Sequence, residues 1–134
     1  MTETIECSTV LPASARQIYI AWLSSQGHSA MTGAKAVIDP AVEGRFTAWD
    51  GYIQGANLEL EPHWRIVQSW RTTEFPEAAP DSHLEVRLES VDGGTYIRLI
   101  HTLIPDGQGE SYRRGWEEYY FLPMAEYFST EAET

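Results

Sequence analysis

Four histidines, one cysteine and 20 acidic side chains are the groups in this 134-residue chain whose types could do chemistry. His28, His63, His83 and His101 are scattered, and no HxH, HxxxH or HExxH grouping brings two imidazoles to one metal, so no metal site is predicted. Cys7 has no second thiolate with which to share a metal or close a disulfide, which fits a reducing compartment. Asp50, Glu59, Glu117 and Glu118 are the carboxylates that could act as general acid or base. Glu59 alternates with Leu58 and Leu60, however, and Glu117 and Glu118 lie off a helical stripe marked by Trp116, so a solvated face accounts for them. No GxSxG elbow, GxxxxGK[ST] loop or GxGxxG fingerprint occurs, so nucleophilic hydrolases, P-loop enzymes and dinucleotide binding lack support and no cofactor is predicted. His101 stands apart, because its alternation with Ile97 and Leu99 points it inward. It could shuttle a proton there; a packed, hydrogen-bonded core histidine is the preferred reading, since buried imidazole nitrogens usually find partners without doing chemistry.

The elements that must position these residues are legible in outline. Thr4 to Leu11 reads as a strand, and Pro12-Ala13-Ser14 opens an amphipathic helix carrying Ile18 and Trp22, with Gly27 expected to stop it and a second short helix over His28 to Thr32. Ala36 to Ile38 and Arg45 to Trp49 read as short strands. Tyr52 to Leu60, Trp64 to Thr73, Leu84 to Ser90 and Thr95 to Leu103 complete a six-stranded antiparallel meander, with Gly51 and Gly55 marking a bulge or bend. Leu84, Val86 and Leu88 alternate with charged residues, so the sheet has one buried and one wet face. Ser111 to Phe128 reads as a long helix with Tyr112, Trp116, Tyr119, Tyr120, Pro123 and Tyr127 on one face, and Pro123 should kink it. One domain is expected over 1–128, with 129–134 a disordered polar tail.

The charge balance is 9 basic against 20 acidic side chains, or −11, which argues against nucleic acid and anionic membranes as partners. The longest apolar run, Ile18 to Leu23, is far shorter than the ~20 residues a membrane span requires, and the acidic N-terminus does not resemble a secretory signal, so a cytoplasmic location is expected.

Several motifs agree in order and spacing with a known family. They are the stretch from Gly27 to Ala34, the run from Phe46 to Gly55, Leu58-Glu59-Leu60-Glu61-Pro62 with Ile66 to Arg71, and Gly115 to Tyr120 with Pro123-Met124. In these the chain resembles single-domain bacterial members of the activator of heat shock protein 90 ATPase homologue-like family, of the START-like (SRPBCC) superfamily. The resemblance implies an α+β helix-grip fold: a curved antiparallel sheet wrapped around a long C-terminal helix, with two short helices after the first strand. It also implies a hydrophobic cavity between sheet and helix, here lined by Trp116, Tyr120 and Tyr127 facing Ile66, Gln68 and Trp70 on one strand and Ile97, Leu99 and His101 on another. Such a cavity suits a small apolar or aromatic ligand, and a noncatalytic ligand-binding role ranks first. Two alternatives stand: a co-chaperone-type regulator of heat shock protein 90, and a polyketide cyclase or aromatase-like enzyme. The eukaryotic activators carry an N-terminal domain with an NxNNWHW-type motif that this sequence does not show, which disfavours a chaperone partner; a homodimer is left open.

Overall fold

The computed structural model describes residues 2–132. Strands β1 (Thr2–Leu11), β2 (Val37–Ile38), β3 (Arg45–Ala48), β4 (Ile53–Glu61), β5 (Arg65–Thr72), β6 (Ser82–Val91) and β7 (Gly94–Pro105) form one curved antiparallel sheet in the order β1-β7-β6-β5-β4-β3-β2. The meander predicted from alternation is thus present, and β1 closes onto its last strand. Helices α1 (Ala15–Trp22) and α2 (Ser25–Thr32) follow β1, and the C-terminal helix comprises α3 (Gly109–Gly115), a π-helical turn (Trp116–Phe121) and α4 (Leu122–Ala132). This is the expected helix-grip arrangement. The apolar faces of β5, β6 and β7 supply Ile66, Trp70, Val86 and Leu99 to a core that the C-terminal helix completes with Trp116, Tyr120, Met124 and Phe128.

Local chemistry explains the first helices. The Ser14 hydroxyl accepts from the Gln17 amide at 3.1 Å while the Gln17 side chain accepts from the Ser14 amide at 2.9 Å, a reciprocal cap that satisfies two otherwise unpaired donors. Gly27, expected to stop α1, does not: α1 ends at Trp22, Ser24 caps α2, and Gly27 lies inside that second helix. A Cβ on Gly27 would come within 2.9 Å of the Ala21 Cα, so the glycine lets α2 pack tightly against α1.

Three departures from the predicted pattern share one cause, an extra residue. In β4 the register to β5 shifts between Asn57 and Glu59, which turns Leu58 outward to 44% exposure instead of alternating inward. In β7, Leu103 has φ 60° and is exposed, and Ile104 beyond it is buried. The glycines expected to bulge do something else: Gly55 lies so near β5 that a Cβ would stand 1.9 Å from the Ser69 carbonyl oxygen, and Gly51 closes a turn at φ 91°. The third extra residue is the π-helical turn before Pro123. Proline has no N–H to bond back to Tyr119, and the widened turn shifts the helix face so that Met124 and Phe128, rather than Tyr127, reach the core. The expected tail is helical as far as Ala132; residues 133–134 lie outside the described residues.

Candidate functional site

An apolar cavity of about 240 Å³ lies between the β3–β4 end of the sheet and the C-terminal helix. Trp49 and Tyr52 from the β3–β4 turn, Ile53 from the start of β4 and Trp70 from β5 form one wall. Tyr112, Gly115, Trp116, Tyr119 and Tyr120 form the other. The aromatic rings hold one another in place: Trp116 sits 5.6 Å from Trp70 and 4.8 Å from Tyr120, and Trp22 of α1 stacks on its outer side at 6.2 Å. Among the described residues no Asp, Glu, Lys or Arg side chain contributes to the lining.

Of the nine residues predicted to line a cavity, Trp70, Trp116 and Tyr120 do so. The others are brought close but belong to the packing beneath or beside it. Ile66, Ile97 and Leu99 are fully buried core residues. Gln68 accepts from the Trp22 indole at 3.4 Å and donates to Asn57 at 2.9 Å, which in turn donates to the carbonyls of Asp39 and Ala41. Tyr127 is half-buried and packs edge-on against Phe128, a consequence of the π-helical shift. The residues missed by sequence reasoning are Trp49, Tyr52, Ile53, Tyr112, Gly115 and Tyr119. The aromatics flanking Asp50-Gly51 were the available signal, since a turn rarely spends a Trp and a Tyr without burying them.

His101 sits behind the cavity wall with every polar atom engaged. The Trp116 indole can only donate, so His101 Nδ1 accepts from it at 3.1 Å. Nε2–H then donates to Ser82 Oγ at 2.8 Å, and Ser82 donates to the Trp70 carbonyl at 2.8 Å. Burial, aided by the nearby His83, pushes the His101 pKa down to about 3. His28 is fixed in the opposite tautomer: the Trp22 carbonyl can only accept, so Nδ1–H donates to it at 2.9 Å and Nε2 accepts from the Tyr120 hydroxyl at 2.7 Å. Burial pushes the His28 pKa down to about 4, against the opposing pull of the Trp22 carbonyl, and raises that of Tyr120.

Two further tyrosines of the wall are similarly committed. Tyr112 donates to Gln108 Oε1 at 2.6 Å and stands 2.6 Å from Thr72 Oγ1, while Tyr52 donates to Glu74. Burial first, and then the Glu74 bond, raise the Tyr52 pKa. The His28 and His101 imidazoles are neutral near pH 7 and these hydroxyls protonated, each engaged in hydrogen bonds within the wall. Among the described residues no group of three or more His, Cys, Asp or Glu side chains could hold a metal. Among the described residues no helix is long and apolar enough to cross a membrane.

Comparison with known proteins agrees with this architecture. Over 117 residues, 86% of the chain, it is 28% identical to the human "Activator of 90 kDa heat shock protein ATPase homolog 1", and it spans about a third of the length of the curated relatives it matches. Among solved structures, an HSP90 activator from Plasmodium falciparum superposes with a TM-score of 0.81 at 23% identity, covering 89% of this chain and 91% of that one. CalU16 from Micromonospora echinospora superposes at 0.79 and 23%, covering 98% and 80%. At these identities the superpositions speak for the fold. The sequence signature described as "Activator of Hsp90 ATPase homolog 1-like protein" matches residues 12–129, and the chain belongs to that family.

Proposed function

We propose that the protein binds a small apolar or aromatic molecule in the cavity between the sheet and the C-terminal helix. The observation that carries this is an aromatic cavity of about 240 Å³ between sheet and helix whose lining includes no Asp, Glu, Lys or Arg among the described residues. A dry cavity of about 150 Å³ is enough to hold benzene, so the space suits one or two rings. Two fused rings losing roughly 200 Å² of apolar surface to the walls gain about 5 kcal/mol at ~25 cal/mol per Å², a Kd on the order of 10⁻⁴ M.

Gly115 supports the same reading. It has ordinary helical angles, φ −61° and ψ −42°, so the backbone has no need of glycine, and a Cβ there would meet nothing within 4 Å. Glycine inside a helix costs about 0.5–1 kcal/mol relative to alanine. An open cavity wall accounts for that cost. Gly115→Ala should therefore raise stability by about 0.5–1 kcal/mol in denaturant unfolding, and Gly115→Leu should occupy the space and abolish binding. Calorimetric titration with naphthalene tests the binding: saturable binding to the wild type that is lost in Gly115→Leu is expected, and a wild type giving neither heat nor a thermal shift would overturn the proposal.

A second reading, regulation of a 90-kDa heat shock protein, is favoured by the family match. The names of the relatives attach that activity to proteins about three times as long as the matched portion. The expected result is that this chain alone leaves the ATP turnover of a bacterial heat shock protein 90 unchanged; a saturable stimulation would reverse the ranking.

A further inference from the structure

We propose that the cavity is built for a neutral, flat aromatic of one or two rings that carries a hydrogen-bond acceptor, and that the indole N–H of Trp49 receives this acceptor. The inference rests on the reading of the cavity as a binding site and adds the chemistry by which it selects.

The indoles around the core are otherwise provided for where they are shut off from solvent. Trp22 Nε1 donates to Gln68 and Trp116 Nε1 to His101. Trp49 Nε1 is the exception: it is buried from solvent and meets no acceptor among the described residues. A buried donor without a partner is costly, and native structures retain one where something else satisfies it. Trp49 belongs to the cavity wall, so a small shift of its indole is enough to bring the unpartnered donor to a bound molecule.

The backbone supplies an independent observation. Trp49 and Asp50 have φ 51° and 59°, left-handed angles that a bulky side chain such as tryptophan adopts at a cost, before Gly51 continues the turn at φ 91°. The turn is tied down by Asp50 N–H donating to the Lys35 carbonyl at 3.0 Å and Tyr52 N–H donating to the Trp49 carbonyl at 3.1 Å. Two successive left-handed residues are what a tight hairpin turn requires, and Gly51 N–H closes it on the Ala48 carbonyl at 3.2 Å; the turn sets Trp49 in the cavity wall. Tyr119 stands edge-on to Trp49, with ring centres 5.5 Å apart, and is 56% exposed.

The remaining wall defines what the ligand is not. The lining carries no ionisable acid or base other than tyrosine, so a charged ligand would lose its hydration without compensation. The hydroxyl protons of Tyr52, Tyr112 and Tyr120 are already given to Glu74, Gln108 and His28. An acceptor in a flat ring, such as a ring nitrogen or a ring carbonyl, suits the Trp49 indole N–H, which has no partner among the described residues.

Naphthalene and quinoline share a shape and differ by one ring nitrogen, with isoquinoline placing that nitrogen at a second position. Calorimetry on the wild type and Trp49→Phe forms a cycle in which each ligand's own hydration cancels. The expected result is that Trp49→Phe weakens the better-bound nitrogen heterocycle about fivefold to tenfold more than it weakens naphthalene. In the wild type, which needs no variant to fold, the Trp49 indole N–H resonance should move downfield with the heterocycle and not with naphthalene. Equal losses for all three ligands with no such shift would overturn the acceptor while leaving the cavity reading intact. Failure of naphthalene and both heterocycles to bind the wild type would overturn both.

Discussion

His101 gives up a charge for two hydrogen bonds, and its neighbours depend on them. In His101→Leu the Trp116 indole loses its acceptor in a buried setting, so stability should fall by about 1–3 kcal/mol while naphthalene still binds. Denaturant unfolding beside ligand titration reads both, and unchanged stability with lost binding would give His101 a direct role at the ligand instead. The same burial sets a pH dependence. Above about pH 6.5 the imidazoles are neutral in folded and unfolded states alike; below it the unfolded chain binds protons that the folded chain refuses until about pH 4 at His28 and about 3 at His101. Stability therefore falls as the pH drops, by up to about 1.4 kcal/mol per pH unit for each histidine once the pH is below 6.5. Urea midpoints between pH 7 and 5 should show this slope, roughly halved in His101→Leu. His101 was legible in the sequence because strand alternation fixed its direction; its partners Ser82 and Trp116 come from distant parts of the chain, and no local pattern names them.

At the scale of the elements, periodicity read the strands and helices well until one residue was added. A period-two pattern puts Leu58 inside, and a regular helix puts Tyr127 inside. The bulge in β4 and the π-helical turn each move the register by one, and neither carries a distinctive residue apart from Pro123 downstream of the turn. The bulged positions make a test. Leu58→Lys and Leu103→Lys should each change stability by less than about 0.5 kcal/mol, as exposed substitutions do, whereas Leu99→Ala, in the regularly paired part of β7 and fully buried, should cost about 2–5 kcal/mol. The cavity escaped sequence reading for a related reason. Its wall is made where the β3–β4 turn meets the widened helix, away from the mid-strand residues Ile66, Ile97 and Leu99 that alternation makes conspicuous.

For the whole molecule, electrostatics work against compactness and packing works for it. The outer face of the sheet carries the half-buried pair Arg65–Glu85 and the more exposed pairs Arg65–Glu59 and Arg98–Glu6, the exposed ones each worth about 0–1 kcal/mol. These are local cancellations within a net charge of −11. Screening weakens the pairs slightly and the overall self-repulsion more, because the repulsion acts across the entire surface. The melting temperature should accordingly rise as sodium chloride is raised from low to physiological ionic strength; a fall would mean that the local pairs outweigh the net charge.

The close aromatic cluster around Trp116 has an optical consequence. Trp22 and Trp70 lie 6.2 and 5.6 Å from it, near enough for their transition dipoles to couple. Circular dichroism in the far ultraviolet will then contain an exciton band from the indoles superposed on the peptide signal. A helix content fitted from that spectrum will be wrong for this protein, while the amplitude of the band itself will report, in a single measurement, whether the three rings still stand together.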